Sequence, residues 1–364
     1  MIMDIRSERN YGIDTLRFLA MFMVVLLHVL GQGGILGASI PFTGQYYINY
    51  FLEIAAYCAV NCYVLISGYV GIYSRYRYSN LVLLWIKVIF YTIIITAVFQ
   101  CFLPETVSLE HWLNALFPVM FKQYWFFTAY FALFLFMPIL NNALHKLSKK
   151  QMKIILLIFI CFFSVLNTVI YFTDAFDLNY GYSAWWMTVL YLVGGYIRKY
   201  QVFRNIKRKH LIIGYMLMII MTMGVKLLIE IGTSNALGHL INGNILLKYT
   251  SPTILFSSIF LLGLFSNIKI KQKYTKFVRK FTPLVFSVYL IHAHPLIWSS
   301  LLKNRFVQYA TLSPCISTIY LLLTSLIIYL ICLSIDCIRE VFFQKLKIKK
   351  RLDNLEIKLK RKIL

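Results

Sequence analysis

The sequence is short of charge, and above all of acidic residues. Asp and Glu number 13 in 364 residues and charged residues make up 14%, whereas hydrophobic residues make up 60% and the mean hydropathy is +0.72. A soluble domain usually carries about a quarter charged residues. Because a soluble chain must cover much of its surface with polar groups, this composition excludes an ordinary soluble protein and favours a chain surrounded by lipid.

Other missing features exclude further classes of protein. The 7 Cys residues show neither metal-ligand spacing nor a disulfide framework, so no metal site is predicted. No Gly-x-Ser-x-Gly motif is present, which leaves a serine-hydrolase mechanism without support. No internal repeat is evident in the sequence, and this weakens an interpretation as an inverted-repeat transporter.

Long apolar runs dominate what remains. Runs of about 20 residues can cross the hydrocarbon core as helices, and no second soluble domain is left between them. The sequence therefore predicts an all-α integral membrane protein of about ten transmembrane helices. A single membrane domain is expected over residues 1–340, followed by a basic amphipathic tail over 341–364. The predicted spans are 12–33, 47–73, 81–103, 124–141, 154–172, 182–197, 211–231, 251–268, 283–301 and 314–338.

The distribution of basic residues predicts the orientation of these spans. The net charge of +24 could indicate nucleic-acid binding, but 30 of the 37 Lys and Arg residues fall in alternate loops and the termini. The intervening loops hold only Lys122, Lys248, Lys303 and Arg305. This alternation is the positive-inside pattern. It predicts a multi-pass plasma-membrane protein with both termini in the cytoplasm, and no nucleic-acid partner.

The first span carries the most distinctive polar residues: Asp14, Arg17 and His28. Arg17 and His28 are eleven residues apart, almost three helical turns, so they share a helix face roughly 16 Å apart along the axis. Asp14 is one turn from Arg17 and can pair with it. Ionisable groups at membrane depth usually face a polar cavity. The alternatives are a snorkelling anchor for Arg17 and a packing role for His28.

Several sequence blocks resemble the membrane-bound acyltransferase family 3, whose members O-acylate glycans. The opening block has Arg, ten residues and then His, and a later block contains the Ser67-Gly68 pair. The blocks follow one another in the family's order and extend over most of the chain. They are GIDTLRFLAMFMVVLLH (12–28), AVNCYVLISGYVG (59–71), YWFFTAYFALFLFMPIL (124–140), YLVGGYIRK (191–199) and FSVYLIHAHP (286–295).

The resemblance implies an enzyme with no permanently bound cofactor, which takes acyl-CoA, usually acetyl-CoA, from the cytoplasm as donor. It also implies that Arg17 and His28 are functional. The expected acceptor is a hydroxyl of a cell-envelope or extracellular polysaccharide, or of its lipid-linked precursor. Membrane lipids are the other expected partners, and a homodimer is one assembly that the sequence leaves open.

One departure from the family pattern concerns donor binding. Many members carry two arginines three residues apart where this chain has Leu84 and Lys87. Arg75 and Arg77 lie nearby, in the preceding loop. Lys87, Arg75, Arg77 and Arg17 are therefore the candidates for donor binding, and nothing in the sequence shows what replaces the arginine missing at Leu84.

Acyl transfer from a thioester to a hydroxyl needs a base for the hydroxyl proton, and neutral His is well matched to pH 7. We expect His28 to act as this base, with Asp14 and Arg17 completing the catalytic group. A covalent acyl-histidine intermediate is the alternative mechanism. Further candidates for binding the acceptor or lining a cavity are Glu53, Asn61, Ser67, Trp125 and His292, and a structural role is the alternative for His292.

Two other functional classes remain open at this point. The first is a translocator of lipid-linked glycans without catalysis, which predicts polar residues spread over several spans and internal symmetry. The second is a membrane sensor or scaffold. Catalysis predicts a single tight cluster of polar residues, and the first span fits that description best.

The predicted orientation can be tested by cysteine labelling from outside the cell. In an otherwise Cys-free background, Ser234→Cys should react with an impermeant thiol reagent and Ser148→Cys should not, because the two loops lie on opposite sides. Labelling of Ser148→Cys alone would show that the orientation is inverted.

Overall fold

A computed structural model describes residues 9–170 and 173–363 of the chain, and that part contains helices and no strand. The last two residues of the predicted span 154–172 therefore lie outside the described part of the chain. The first eight residues of the predicted membrane domain lie outside it too. The helices are α1 Tyr11–Gly31, α2 Ile35–Ala38, α3 Gly44–Tyr57, α4 Ala59–Gly71, α5 Tyr78–Phe102, α6 Leu109–Leu116, α7 Trp125–Lys146, α8 Lys149–Ile160, α9 Asn167–Val169, α10 Ala184–Tyr200, α11 Arg208–Leu237, α12 Pro252–Ser266, α13 Gln272–Phe281, α14 Val285–His292, α15 Pro295–Ile297, α16 Pro314–Lys345 and α17 Ile348–Ile363.

Over its described residues, each predicted span corresponds to a helix or to consecutive helical segments, but the count of about ten spans is not confirmed. Seven helical segments of the described chain are long and apolar enough to cross a membrane, and a bent pair makes eight. The remaining two predicted spans are α10 and α12, with 17 and 15 residues. This is a multi-pass helical membrane fold, and its orientation in the membrane remains a prediction.

Helix α1 lies at the centre of the helical bundle. In the most apolar stretch of α1, 67% is buried inside the protein, whereas the corresponding share is 22% for α11 at the periphery. It packs against α3, α4, α12, α14 and α16. Gly12 lets the beginning of α1 lie close to the end of α12, because a Cβ there would lie 2.1 Å from the carbonyl oxygen of Phe265. The polar residues of α1 are therefore directed into protein and not into lipid.

A break in the ninth predicted span positions two residues near α1. The segment Gln272–His292 ends at His292, and Pro295–Leu302 continues at an angle of 58°. Pro295 lacks a backbone N–H and begins the second segment, where that loss is harmless, with His294 as the N-cap. The bend brings both His292 and Trp298 against His28.

The loops that are rich in Lys and Arg meet one another in space. Lys199 in the last turn of α10 donates to the carbonyl of Leu144 near the end of α7 at 2.6 Å, which joins the ends of these two helices. The side-chain amide of Asn267 donates to the carbonyl of Phe203 at 2.9 Å, which joins the loops after α10 and α12. These contacts place the ends of α7, α10 and α12 at one common end of the bundle.

The basic tail helix α17 docks on the beginning of α5. Glu356 accepts hydrogen bonds from the backbone N–H groups of Tyr78 and Ser79 at 3.3 and 3.0 Å. Asp353 accepts one from the Ser79 hydroxyl at 2.7 Å. Partial burial acts to raise the pKa of Glu356, but the hydrogen bonds from Lys360 and Ser79 prevail and lower it to about 2. The tail thus supplies the N-terminal cap that α5 lacks in its own sequence.

Candidate functional site

Two histidines from distant parts of the chain form a hydrogen bond in the middle of the bundle. His28 Nδ1 lies 2.8 Å from His292 Nε2, and His292 Nδ1 lies 2.5 Å from the carbonyl oxygen of Val288. A carbonyl oxygen can only accept, so His292 Nδ1 carries a proton. In neutral His292 the Nε2 atom is then an acceptor, and His28 Nδ1 donates to it. This chain of bonds leaves Nε2 of His28 unprotonated, with its lone pair free.

His28 lines a cavity of about 380 Å³ between α1, α3, α4, α7 and α14. The edge of the Trp298 ring contacts the His28 ring, with centroids 4.5 Å apart at 70°. A cavity of this size is in the range that holds a small organic ligand. Because the tautomer of His28 is fixed by His292, the cavity contains a preorganised basic nitrogen.

Glu53 faces the same cavity from α3. Its Oε2 atom is buried and has no hydrogen-bond partner among the described residues. A buried carboxylate oxygen without a partner is costly and calls for an explanation. Since Glu53 lines a cavity, a ligand with hydroxyl or N–H donors would supply the missing bond.

Aromatic rings form the wall beside Glu53. Trp125 lies over Tyr182 with centroids 4.3 Å apart, and Tyr249 stacks on Trp125 at 5.9 Å. Tyr57, one helical turn after Glu53, contacts Tyr249 at 5.0 Å. Trp125 is thus a cavity residue, as the sequence predicted. A carboxylate beside aromatic faces is suited to a ligand with polar edges and apolar C–H faces, such as a sugar ring.

Asp14 and Arg17 form an ion cluster towards the other end of α1. Asp14 is buried and accepts from Arg17 Nη1 and from Arg9 Nε, each at 2.6 Å. The predicted pairing of Asp14 with Arg17 is therefore present. The backbone carbonyl of Arg17 also accepts from the hydroxyl of Tyr63 at 3.0 Å, and Tyr63 lines the cavity. Arg17 itself lies outside the cavity lining, so it and His28 are not brought together.

Asn61 and Ser67 are engaged in helix packing. Asn61 is buried, donates to the carbonyl of Tyr249 at 2.8 Å and accepts from Trp186 Nε1 at 3.2 Å. Ser67 donates to the carbonyl of Tyr63 at 3.0 Å and accepts from Tyr130 at 3.3 Å. Asn61 fixes the backbone at Tyr249 and thereby shapes the cavity wall from behind.

The proposed donor-binding cations on and before α5 lie apart from the cavity. Lys87 is buried and donates to the carbonyl of Pro283 at 3.2 Å. Arg77 lies 3.7 Å from Asp353 of the tail, and Arg75 is exposed in the loop. Asp336 on α16 accepts from Tyr91 of α5 at 2.6 Å and from both Nε and Nη2 of Arg339. Lys87 and Arg77 therefore take part in the packing of α5 in this structure.

Sequence reasoning found His28, His292, Glu53 and Trp125 but did not join them. It gave no role to Tyr57, Tyr249 or Trp298, which all line the cavity. A signal was available for Tyr57, because it follows Glu53 by four residues and must share its helix face. Tyr249 comes from a loop far along the chain, and no local pattern predicts its position. In the described part of the chain, His, Cys, Asp and Glu do not gather in any group of three that could hold a metal ion.

Comparison with known families gives one match. The acyltransferase family 3 model, described as "Acyltransferase domain", matches residues 10–333. No curated protein and no solved structure gives a significant match to the chain. The matched range contains His28, His292 and Glu53, and it covers nearly the whole membrane-spanning part.

The role of His292 predicts a change in the protonation of His28 that can be measured directly. In the native protein, ¹⁵N NMR of labelled histidines should show His28 with an unprotonated Nε2 and a proton on Nδ1. His292→Leu removes the acceptor of that proton, so we expect His28 to populate the Nε2-protonated tautomer as well. His292→Gln retains an acceptor oxygen and should largely restore the native signal, and His145→Gln serves as a control. An unchanged His28 signal in His292→Leu would contradict the tautomer assignment.

Proposed function

The chain belongs to the acyltransferase family 3 of membrane acyltransferases, and on that premise we propose that it is an O-acyltransferase. It moves an acetyl or related acyl group from cytoplasmic acyl-CoA to a hydroxyl group of a cell-envelope glycan or its lipid-linked precursor. The observation that carries this proposal is the position of His28, whose Nε2 is free of a proton and whose ring lines a cavity inside the bundle.

His28 is the general base of the proposed reaction. Its Nε2 takes the proton of the acceptor hydroxyl while that oxygen attacks the carbonyl carbon of the thioester. The carbon–sulfur bond then breaks, and the thiolate of CoA takes the proton back from Nε2 as it leaves. Removal of a proton in the transition state by a positioned His is the common form of this catalysis. His292 supports this role by accepting a hydrogen bond from the Nδ1–H group of His28, so that Nε2 is the nitrogen that takes up and returns the proton.

The acceptor occupies the cavity beside His28 in this proposal. Glu53 offers a buried carboxylate oxygen without a partner, and a sugar carries hydroxyl groups that can donate to it. Trp125, Tyr182 and Tyr249 offer ring faces for the C–H surface of the sugar. This combination supports a glycan as the acceptor, since an acyl group alone would not need the carboxylate.

In this proposal the donor extends along α1 past Arg17 and reaches His28 near the other end of the helix. Asp14 holds the guanidinium of Arg17 at 2.6 Å, which fixes the direction of the side chain. Arg17 precedes His28 by roughly 16 Å along the helix axis. An extended pantetheine arm has a comparable reach, so a donor whose phosphates lie beyond Arg17 can present its thioester to His28.

Loss of the base tests the mechanism. His28→Ala should reduce transfer from labelled acetyl-CoA to extracted envelope glycan by about 10²–10⁴-fold, because a general base contributes that much to the rate. His210→Ala, on an exposed position away from the cavity, is the matched control and should keep native activity. If His28→Ala transfers at a near-native rate with native folding, His28 is not the base.

Glu53 tests the identity of the acceptor site. Glu53→Gln keeps the shape of the side chain but replaces one acceptor oxygen by an NH₂ donor, and we expect the KM for the glycan to rise about tenfold while the KM for acetyl-CoA stays constant. Glu110→Gln, which is exposed, is the control. A rise in the KM for acetyl-CoA alone would show that Glu53 contributes to the donor site and not to the acceptor site.

A further inference from the structure

Helix α11 carries a lysine and a glutamate that take no part in the proposed reaction. Lys226 and Glu230 are one helical turn apart and form an ion pair, and each side chain is only 1% exposed. A buried ion pair adds little to stability by itself, because removing two charges from water is costly. The further contacts of this pair are therefore informative. They come from two different elements, α3 and the loop between α11 and α12, and both elements carry residues of the cavity beside His28.

The first of these elements, α3, presents one continuous face to the ion pair and to the cavity. The hydroxyl of Tyr46 donates to Glu230 Oε2 at 2.7 Å, and Lys226 Nζ lies 3.7 Å from the centroid of the Tyr50 ring. Residues spaced by three or four positions share a face of a helix. The residues of this face are Tyr46, Tyr50, Glu53 and Tyr57. The ion pair contacts the first two and the cavity is lined by the last two, so the pair fixes the rotation of α3 and the direction of Glu53.

The second element is the loop 238–251, which runs back along α11 and carries Tyr249 to the cavity. The backbone N–H of Gly243 donates to Glu230 Oε1 at 3.2 Å. Lys226 Nζ donates to Oδ1 of Asn244, the next residue, at 3.0 Å. The loop can lie this close to α11 because position 243 has no side chain, since a Cβ there would lie 2.3 Å from the carbonyl oxygen of Lys226. The ion pair thus fixes the beginning of the segment that ends at Tyr249.

The rest of this segment is also fixed. The side chain of Leu247 packs with Ile54 of α3 and Ile219 of α11 in a small apolar cluster. At the end of the segment, the carbonyl of Tyr249 accepts a hydrogen bond from Asn61 at 2.8 Å. Because the segment is held at its beginning, middle and end, a change at the ion pair is transmitted to the ring of Tyr249 through a short and rigid piece of backbone.

We propose that Lys226 and Glu230 are positioning residues for the acceptor site, because they set Glu53 on α3 and Tyr249 on the loop relative to each other. The inference rests on the proposed function for the choice of a glycan as the ligand. A sugar has to meet the carboxylate with its hydroxyl groups and the aromatic wall with its C–H surface at the same time. A small displacement of either wall therefore weakens its binding. Lys226 and Glu230 themselves lie outside the lining of the cavity, so they act only through other residues.

The test removes both charges together in the variant Lys226→Met/Glu230→Leu, which leaves no unpaired charge in the protein. Full-length protein in lipid discs is titrated by calorimetry with envelope glycan extracted from the cells that make it. We expect the Kd for the glycan to rise about tenfold, whereas the KM for acetyl-CoA and the ¹⁵N signal of His28 stay native. Backbone amides of residues 243–250 should exchange faster with deuterium, because the loop has lost its contacts with α11.

A second variant tests the same contact without removing a charge. Gly243→Ala places a methyl group against the backbone of Lys226, so it should displace the loop and raise the Kd for the glycan in the same way. Gly232→Ala is the matched control on α11. A Cβ at that exposed position meets nothing within 4 Å, so glycan binding and loop exchange should both stay native.

Three results would overturn the positioning role. The first is a native Kd for the glycan in Lys226→Met/Glu230→Leu. The second is faster exchange of the loop with unchanged glycan binding, since the pair would then only stabilise the loop. The third is an equal loss of glycan and acetyl-CoA binding, which would indicate a defect of the whole fold. If the variant binds the glycan more weakly than the native protein but neither transfers an acetyl group, the proposed function fails and the positioning role stands.

Discussion

A polar side chain inside a bilayer must find its partner within the protein, and the centre of this fold is organised around that constraint. Helix α1 carries Asp14, Arg17 and His28 at membrane depth, so it cannot lie at the lipid-facing surface. It packs instead against other helices of the bundle, among them α3, α4 and α16. Asp14 is paired with two arginines, and His28 with His292. The partners of these three residues therefore determine which neighbouring helices approach α1, and at which height the ninth predicted span has to bend.

The bend at His292–Pro295 shows how a local rule and a distant contact combine. Proline can begin a helical segment without losing a hydrogen bond, so a break before the proline of the sequence HAHP agrees with the local rule. The direction of the break does not follow from that rule, because it depends on the packing of α14 against α1 and α16. Without the bend of 58° the segment would continue as a straight helix, and Trp298 would not reach His28.

Much of the fold could be predicted from apolar runs, and less of the site. Ten segments were expected, and their described residues are largely helical, but α10 and α12 have only 17 and 15 residues. The pair Asp14–Arg17 follows from helical spacing, and it is present. His28 and His292 are 264 residues apart, and only the folded chain joins them. The same holds for Tyr249, which the side chain of Asn61 fixes in place. Lys87 was expected at the donor because it stands where many family members have an arginine, and Arg77 because it lies nearby, but both contact other parts of the protein in this structure.

The docking of α17 on α5 has a consequence for the order in which the protein can be completed. Glu356 satisfies the first N–H groups of α5, yet it is 277 residues away from Ser79 along the chain. During synthesis, α5 enters the membrane long before its cap exists, and water must serve those groups in the meantime. The cap at the beginning of α5 can therefore form only after the last helix has emerged from the ribosome. A chain that is cut short before Asp353 would contain both histidines and the residues that line the cavity beside His28, and would still present an uncapped α5 to the cell's quality-control proteases.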